Sequence, residues 1–170
     1  MRPDIQTIPA YFQRYAELVK DMDLIDALRH TGDEVRRVLE TIPEAKGTYR
    51  YAEGKWTIKE VLTHIMDVER IFAYRALRFS RNDQTALHPF EENDYAPLAN
   101  AHGRTLEQLK GEMHRLRATT IDLYESFTPE MLQREGTASG KRISVLNLGY
   151  ITAGHDIHHL NILRERYVNS

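Results

Sequence analysis

The sequence predicts an all-α protein, built as a bundle of four helices. Four long segments carry apolar residues at intervals of three and four, and capping or helix-stopping residues bound them. No segment alternates convincingly between apolar and polar residues, so little or no sheet is expected. Four amphipathic helices that bury their apolar faces against one another form a four-helix bundle.

The first long helix is predicted from Leu24 to Ile42, after a short helix near residues 9–20. Its apolar face comprises Leu24, Leu28, Val35, Val38, Leu39 and Ile42. Gly32 lies inside the segment and costs about 1 kcal/mol relative to alanine, which leaves room for a local break. Pro43 ends the helix, because the residue before a proline is disfavoured in the α region.

The second and third helices begin at capping-box sequences. Thr57 and Glu60 open the second, which is expected to reach about Phe79, and Thr105 opens the third with Gln108. The apolar face of the third comprises Leu106, Leu109, Met113, Leu116, Leu123 and Phe127. Thr128 and Pro129 then end that helix, and they predict a short helix with proline at its first position.

The fourth helix is predicted from Ser144 to about Arg166, after residues 136–140, which form a loop by composition. Its inward stripe comprises Val145, Leu148, Thr152, His155, His159 and Ile162. Between the second and third helices, the connection from Arg81 to Arg104 is long for a compact domain. Such a connection usually covers a site or crosses the bundle.

Three histidines carry the functional hypothesis. His155 and His159 are four residues apart, so their side chains lie on the same face of a helix, at the spacing of two ligands to one metal ion. His64 shares an inward face with the apolar residues of the second helix. Three imidazoles would leave metal positions for water, as in reactive sites. The alternative for His64 is an ordinary core histidine, and His158 is also at helical spacing from His155, although the stripe favours His159.

Other polar residues leave alternatives open. Asp67 and Asp156 are either carboxylates that orient a ligand imidazole or exposed helix charges, and the second interpretation is favoured. Residues 91–95 are either the rim of a pocket or a solvated acidic turn. The remaining histidines are expected at the surface, and these are His30, His88, His102 and His114.

Composition excludes several classes of protein. The chain has 170 residues and no cysteine, which fits one domain over residues 1–170 and excludes disulfides, thiolate zinc sites and a catalytic cysteine. Lys and Arg number 23 against 25 Asp and Glu, so no nucleic acid or anionic membrane is expected as a partner. No apolar run approaches a membrane span or a secretory signal, and a cytoplasmic location is expected.

Two motifs resemble the metal-ligand helices of the DinB superfamily. One is GKWTIKEVLTH, residues 54–64, continuing to DVER at residues 67–70, and the other is AGHDIHHL, residues 153–160. The likeness extends from about Leu24 to Tyr167. It implies a four-helix bundle with an unusual crossover connection, in which His64, His155 and His159 bind one divalent transition metal ion. Zinc, nickel, iron and manganese all remain candidates, and a homodimer is implied.

The same resemblance implies the class of activity. Superfamily members include S-transferases that use a low-molecular-weight thiol, and other members resemble hydrolases. The leading hypothesis is a metal-dependent transferase that acts on a small molecule with a thiol cosubstrate. The alternatives are a metal-activated hydrolase and a non-catalytic, stress-linked metal-binding module. No catalytic residue is assigned.

Overall fold

The computed structural model describes residues 1–168, and the two remaining residues of the predicted domain lie outside this part. The helices are α1 (Ala10–Ala16), α2 (Leu24–Glu40), α3 (Ile58–Ser80), α4 (Glu92–Tyr95), α5 (Leu106–Glu125), α6 (Pro129–Gln133) and α7 (Val145–Leu163). A two-stranded antiparallel hairpin, β1 (Glu135–Ala138) and β2 (Lys141–Ser144), precedes α7. Within residues 1–168, no helix combines the length and the apolar character needed to cross a membrane.

The four long helices form the predicted bundle. Both α2 and α3 pack against α5 and α7, so these two consecutive helices occupy opposite corners. Helices α3 and α5 run parallel, because Lys59 contacts the Arg104 carbonyl at one end and Glu69 binds Arg117 further along. A connection between parallel neighbours must return along the bundle, and residues 81–104 do so. The long crossover connection is therefore confirmed.

The predicted helix starts agree with the structure. Thr57 and Thr105 both form capping boxes with the residues three positions later, and the Ser144 side chain accepts a hydrogen bond at the start of α7. Gly32 does not break α2. A Cβ at this position would lie 3.0 Å from the Arg117 side chain, so Gly32 instead makes room for that arginine.

The prediction of a loop at residues 136–140 is wrong in part, because these residues form most of the first strand and the turn of a β-hairpin. Its turn residues, Ser139 (φ 52°) and Gly140 (φ 72°), both have positive φ, as a tight hairpin turn requires. Each strand has only four residues, which is too short for alternation to be recognised. Leu87 of the crossover connection pairs with Ala138, so the hairpin also anchors that connection.

A buried arginine joins all four bundle helices, and no local sequence pattern indicates it. Arg117 of α5 donates two hydrogen bonds to Glu69 of α3 (2.9 and 3.0 Å) and one to Asp156 of α7 (2.6 Å). It also donates to Thr31 Oγ1 (2.8 Å) and the Leu28 carbonyl (3.0 Å) of α2. The side chains of Arg117, Glu69 and Asp156 lie at the floor of a 520 Å³ cleft between α2 and α5.

The inward face of α5 therefore differs from the prediction. Its buried residues are Leu106, Leu109, Met113, Arg117, Thr120 and Tyr124. Leu116 and Leu123 are half-buried beside this row. Arg117 belongs to this buried row, four positions after Met113, but an apolar pattern does not include a charged residue.

Candidate metal centre

The three predicted histidines converge on one point between α3 and α7. The Nε2 atom of His64 lies 3.2 Å from that of His155 and 3.2 Å from that of His159, and the latter two are 3.1 Å apart. α3 and α7 run antiparallel, which brings His64 opposite the pair at spacing four. His64 and His155 are buried, and His159 is partly buried. The cluster lies apart from the cleft above Arg117, whose lining includes none of the three.

Hydrogen bonding alone does not account for this arrangement. A neutral imidazole Nε2 is either a donor or an acceptor, depending on the tautomer. Each contact requires one donor and one acceptor, but at least two of the three atoms must have the same role. At least one of the three contacts therefore joins two donors or two acceptors. A cation bound by all three lone pairs removes the conflict.

The triangle also has the right size for a transition metal. At ordinary metal–nitrogen distances of about 2.0–2.1 Å, one ion could be reached by all three Nε2 atoms of a triangle of this size. Three nitrogen ligands would leave coordination positions for other ligands, as in reactive metal sites.

Burial keeps the imidazoles in the form that binds metal. It lowers the pKa of His64 to about 4 and that of His159 to about 3, and it holds the pKa of His155 well below its usual range. At neutral pH all three rings are uncharged, and no proton competes for their lone pairs.

The structure distinguishes His159 from His158. The group of potential ligand atoms comprises His64, His155 and His159, whereas the His158 ring packs against Tyr15, with ring centroids 5.2 Å apart. His158 thus lies beside the cluster without joining it. The other four histidines, His30, His88, His102 and His114, are exposed, as predicted.

Neither predicted role of Asp156 is correct. This carboxylate is buried, and it binds Arg117 instead of the imidazoles. Burial raises its pKa to about 7, and one guanidinium shared with Glu69 does not cancel that effect. Asp67 is half-buried near Arg70 (3.7 Å), and within residues 1–168 no hydrogen bond joins it to an imidazole. Residues 91–95 contain the short α4 and are largely exposed, as in a solvated turn.

Aromatic rings pack against two of the three histidines. The Trp56 ring lies 4.8 Å from that of His64, and the Tyr15 ring of α1 lies 5.4 Å from that of His155. α1 approaches α7 closely because Gly154 has no side chain: a Cβ there would lie 1.9 Å from the Tyr15 carbonyl oxygen. The sequence analysis predicted α1 only as a short helix, and nothing in its local pattern indicates a role at this site.

Sequence comparison relates both motifs to a known family. The model of the DinB superfamily matches residues 27–163, which is most of the chain and includes all three histidines. The chain belongs to the DinB superfamily.

Two curated relatives of this DinB-superfamily chain come from Geobacillus. A protein of Geobacillus thermodenitrificans, named as a candidate metal-dependent hydrolase, is 29% identical over 98% of this chain and 95% of its own length. A protein of Geobacillus kaustophilus with a similar name is 27% identical over 79% of this chain and 77% of its own length.

Solved structures share the fold. YfiT from Bacillus subtilis, described as a probable metal-dependent hydrolase with an unusual four-helix bundle topology, matches with a TM-score of 0.77 and 16% identity over 97% of this chain and 90% of its own. A mycothiol-dependent maleylpyruvate isomerase matches with a TM-score of 0.66 and 15% identity over 92% of this chain. The present chain covers only 62% of that isomerase.

Proposed function

We propose that this DinB-superfamily protein is a metal-dependent enzyme in which His64, His155 and His159 bind one divalent transition metal ion. The observation that carries the proposal is the triangle of Nε2 atoms, 3.1–3.2 Å on each side. The names of its relatives support metal dependence. Such an ion, when bound, lowers the pKa of a coordinated thiol or water so that a nucleophile is available near neutral pH.

The charge of the ligand set favours an anionic ligand. The three imidazoles are uncharged, and the group of potential ligand atoms found in residues 1–168 contains no carboxylate. The two positive charges of the ion would therefore remain uncompensated by protein ligands. A thiolate, a hydroxide or a carboxylate would satisfy this requirement better than a neutral molecule.

We favour a thiol S-transferase, in which a low-molecular-weight thiol is the cosubstrate and attacks a small electrophilic substrate. Two observations support this choice. The chain has no cysteine that could occupy the metal in place of an external thiol, and one structure of the same fold is a mycothiol-dependent enzyme. A hydrolase is the second candidate, and it is favoured by the names of both Geobacillus relatives.

Metal analysis of alanine variants tests the ligand set. His64→Ala, His155→Ala and His159→Ala should each lose most of about one equivalent of bound metal. His158→Ala is the matched control, because this neighbouring histidine packs on Tyr15 instead of joining the cluster, and it should retain the metal. Unchanged metal content in the three ligand variants would reject the site.

Cobalt substitution separates the candidate activities. Titration with bacillithiol, mycothiol or 2-mercaptoethanol should produce a sulfur-to-metal charge-transfer band, and a haloarene or epoxide should then react faster than with thiol alone. Hydrolysis of an ester or amide without any thiol effect on the spectrum would favour the hydrolase. A spectrum that no added ligand changes would instead indicate the non-catalytic module.

A further inference from the structure

An arginine without a carboxylate partner in the described residues lies on α1, the helix whose Tyr15 packs against the candidate metal centre. The Arg14 guanidinium carbon of α1 is 4.7 Å from the ring centroids of both Tyr11 and Tyr15. Its Nη2 donates a hydrogen bond to the Tyr15 hydroxyl (2.7 Å). Among residues 1–168, no Asp or Glu forms an ion pair with it. No carboxylate among these residues therefore neutralises its charge, and the two tyrosines restrict its position.

The same tyrosine connects Arg14 to the histidines. The Tyr15 ring packs against His155 and His158, with ring centroids 5.4 and 5.2 Å apart. The Tyr15 hydroxyl accepts the hydrogen bond from Arg14, and the close approach of α1 to α7 at Gly154 holds both residues beside the histidines.

The arrangement fits recognition of an oxyanion. A guanidinium presents five N–H donors in a planar fork that matches a carboxylate or phosphate. Two tyrosine rings and one hydrogen bond restrict this fork, while Arg14 remains exposed and accessible. Little conformational entropy would then be lost when an anion binds, and a carboxylate would also face the uncompensated charge of the ion.

We infer that Arg14 binds a carboxylate of the substrate or cosubstrate beside the metal, so that the enzyme acts on small acidic molecules. The inference rests on the proposed function, because it requires a metal ion with positions open to added ligands. The alternative is a purely structural role, in which Arg14 covers the tyrosines and stabilises the carboxyl end of α1. These two roles differ in their effect on ligand charge.

Hydroxamates provide a test that is independent of the thiol. Acetohydroxamate binds an open metal centre through its hydroxamate group. The monohydroxamates of succinic and glutaric acid carry in addition a carboxylate, at two different distances from the hydroxamate. Dissociation constants are measured from the visible spectrum of the cobalt-loaded protein. In the wild type, at least one acidic hydroxamate should bind about tenfold more tightly than acetohydroxamate, as expected for one charge-assisted hydrogen-bonded contact. This preference should weaken in high salt.

Variants assign the preference to its residue. The preference is expressed as the ratio of the dissociation constant of acetohydroxamate to that of the tighter acidic hydroxamate. Arg14→Gln should reduce this ratio to near one, whereas Arg14→Lys should keep it between one and the wild-type value. Arg36→Gln is the matched control, because Arg36 is an exposed arginine lining the cleft between α2 and α5, and it should keep the wild-type ratio. Circular dichroism checks that each variant is folded.

The outcomes separate this inference from the proposed function. A wild-type ratio near one for both acidic hydroxamates, or an unchanged ratio in Arg14→Gln, overturns the role of Arg14. If hydroxamates bind but no thiol changes the spectrum, the transferase proposal fails, and the ratio still decides the role of Arg14. If no hydroxamate binds at all, the centre is not open and both proposals fall.

Discussion

Two glycines inside long helices should respond in opposite ways to the same substitution. Gly111 lies in α5 and Gly154 in α7. By helix propensity alone, alanine at either position should increase the free energy of unfolding by about 1 kcal/mol. A Cβ at residue 111 would meet only the flexible end of Arg115, at 3.2 Å. A Cβ at residue 154 would instead overlap the backbone carbonyl of Tyr15.

The size of this overlap sets the expected cost. The Cβ of Gly154→Ala would lie 1.9 Å from the Tyr15 oxygen, and ordinary contact begins at 3.4 Å, so α1 and α7 must separate by about 1.5 Å. A backbone carbonyl cannot rotate away as a side chain can, so the cost should approach about 3 kcal/mol, the upper end for overpacking. After the gain of about 1 kcal/mol from helix propensity, Gly154→Ala should lose about 2 kcal/mol. Gly111→Ala should gain up to about 1 kcal/mol.

Urea unfolding of the metal-free proteins, followed by circular dichroism, measures both changes. A second measurement examines the site, because α1 carries Tyr15 and Arg14. Gly154→Ala should weaken the preference for acidic hydroxamates without removing any proposed ligand, and Gly111→Ala should leave it unchanged. A Gly154→Ala protein as stable as the wild type would show that α1 does not depend on this close approach.

Three further predictions concern the metal, the pH dependence and the core. Chelator-treated protein should remain helical and melt cooperatively at a lower temperature, because the apolar core is independent of the ion; an unfolded apo-protein would contradict this. The metal-free protein should gain stability as the pH rises from about 4 to 6.5, because His64 and His159 bind fewer protons folded than unfolded. Asp156 has a raised pKa and therefore acts in the opposite direction, but the imidazoles outnumber it. Urea midpoints that fall as the pH rises over this range would refute the prediction. Arg117→Met should cost about 3–5 kcal/mol by leaving Glu69 and Asp156 unpaired, and adding Glu69→Leu and Asp156→Leu should restore most of that stability in the same assay.

The bundle could be predicted because its signals are local. Thr57 and Thr105 cap their helices through residues only three positions away, and apolar spacing defines each helix without knowledge of its neighbours. His155 and His159 were paired by the same local geometry. The contact of these two histidines with His64 depends on the packing of α3 against α7, which no local pattern reveals. The three-histidine site is therefore predicted only through the motifs that resemble those of the superfamily.

The remaining features depend on contacts between distant segments. Arg117 interrupts an apolar row, and only the approach of Glu69 and Asp156 from two other helices explains why its charge is buried. Arg14 lies in a helix of seven residues that no local pattern connects to the histidines. Its position becomes evident only once Gly154 brings α1 against α7.

The imidazoles and Asp156 lie on neighbouring faces of α7, and the partner of Asp156 determines the charge at the candidate metal centre. His155 and Asp156 are consecutive, so their side chains leave the helix about 100° apart. Asp156 is directed to Arg117, and the carboxylates Glu69 and Asp156 are both committed to that guanidinium. The neighbouring imidazoles thus receive no compensating negative charge from this helix, and Arg14 adds a positive one. With a divalent ion bound at the centre, an anionic ligand would supply the balance, and for this reason ligand charge should distinguish ligands there more strongly than ligand size.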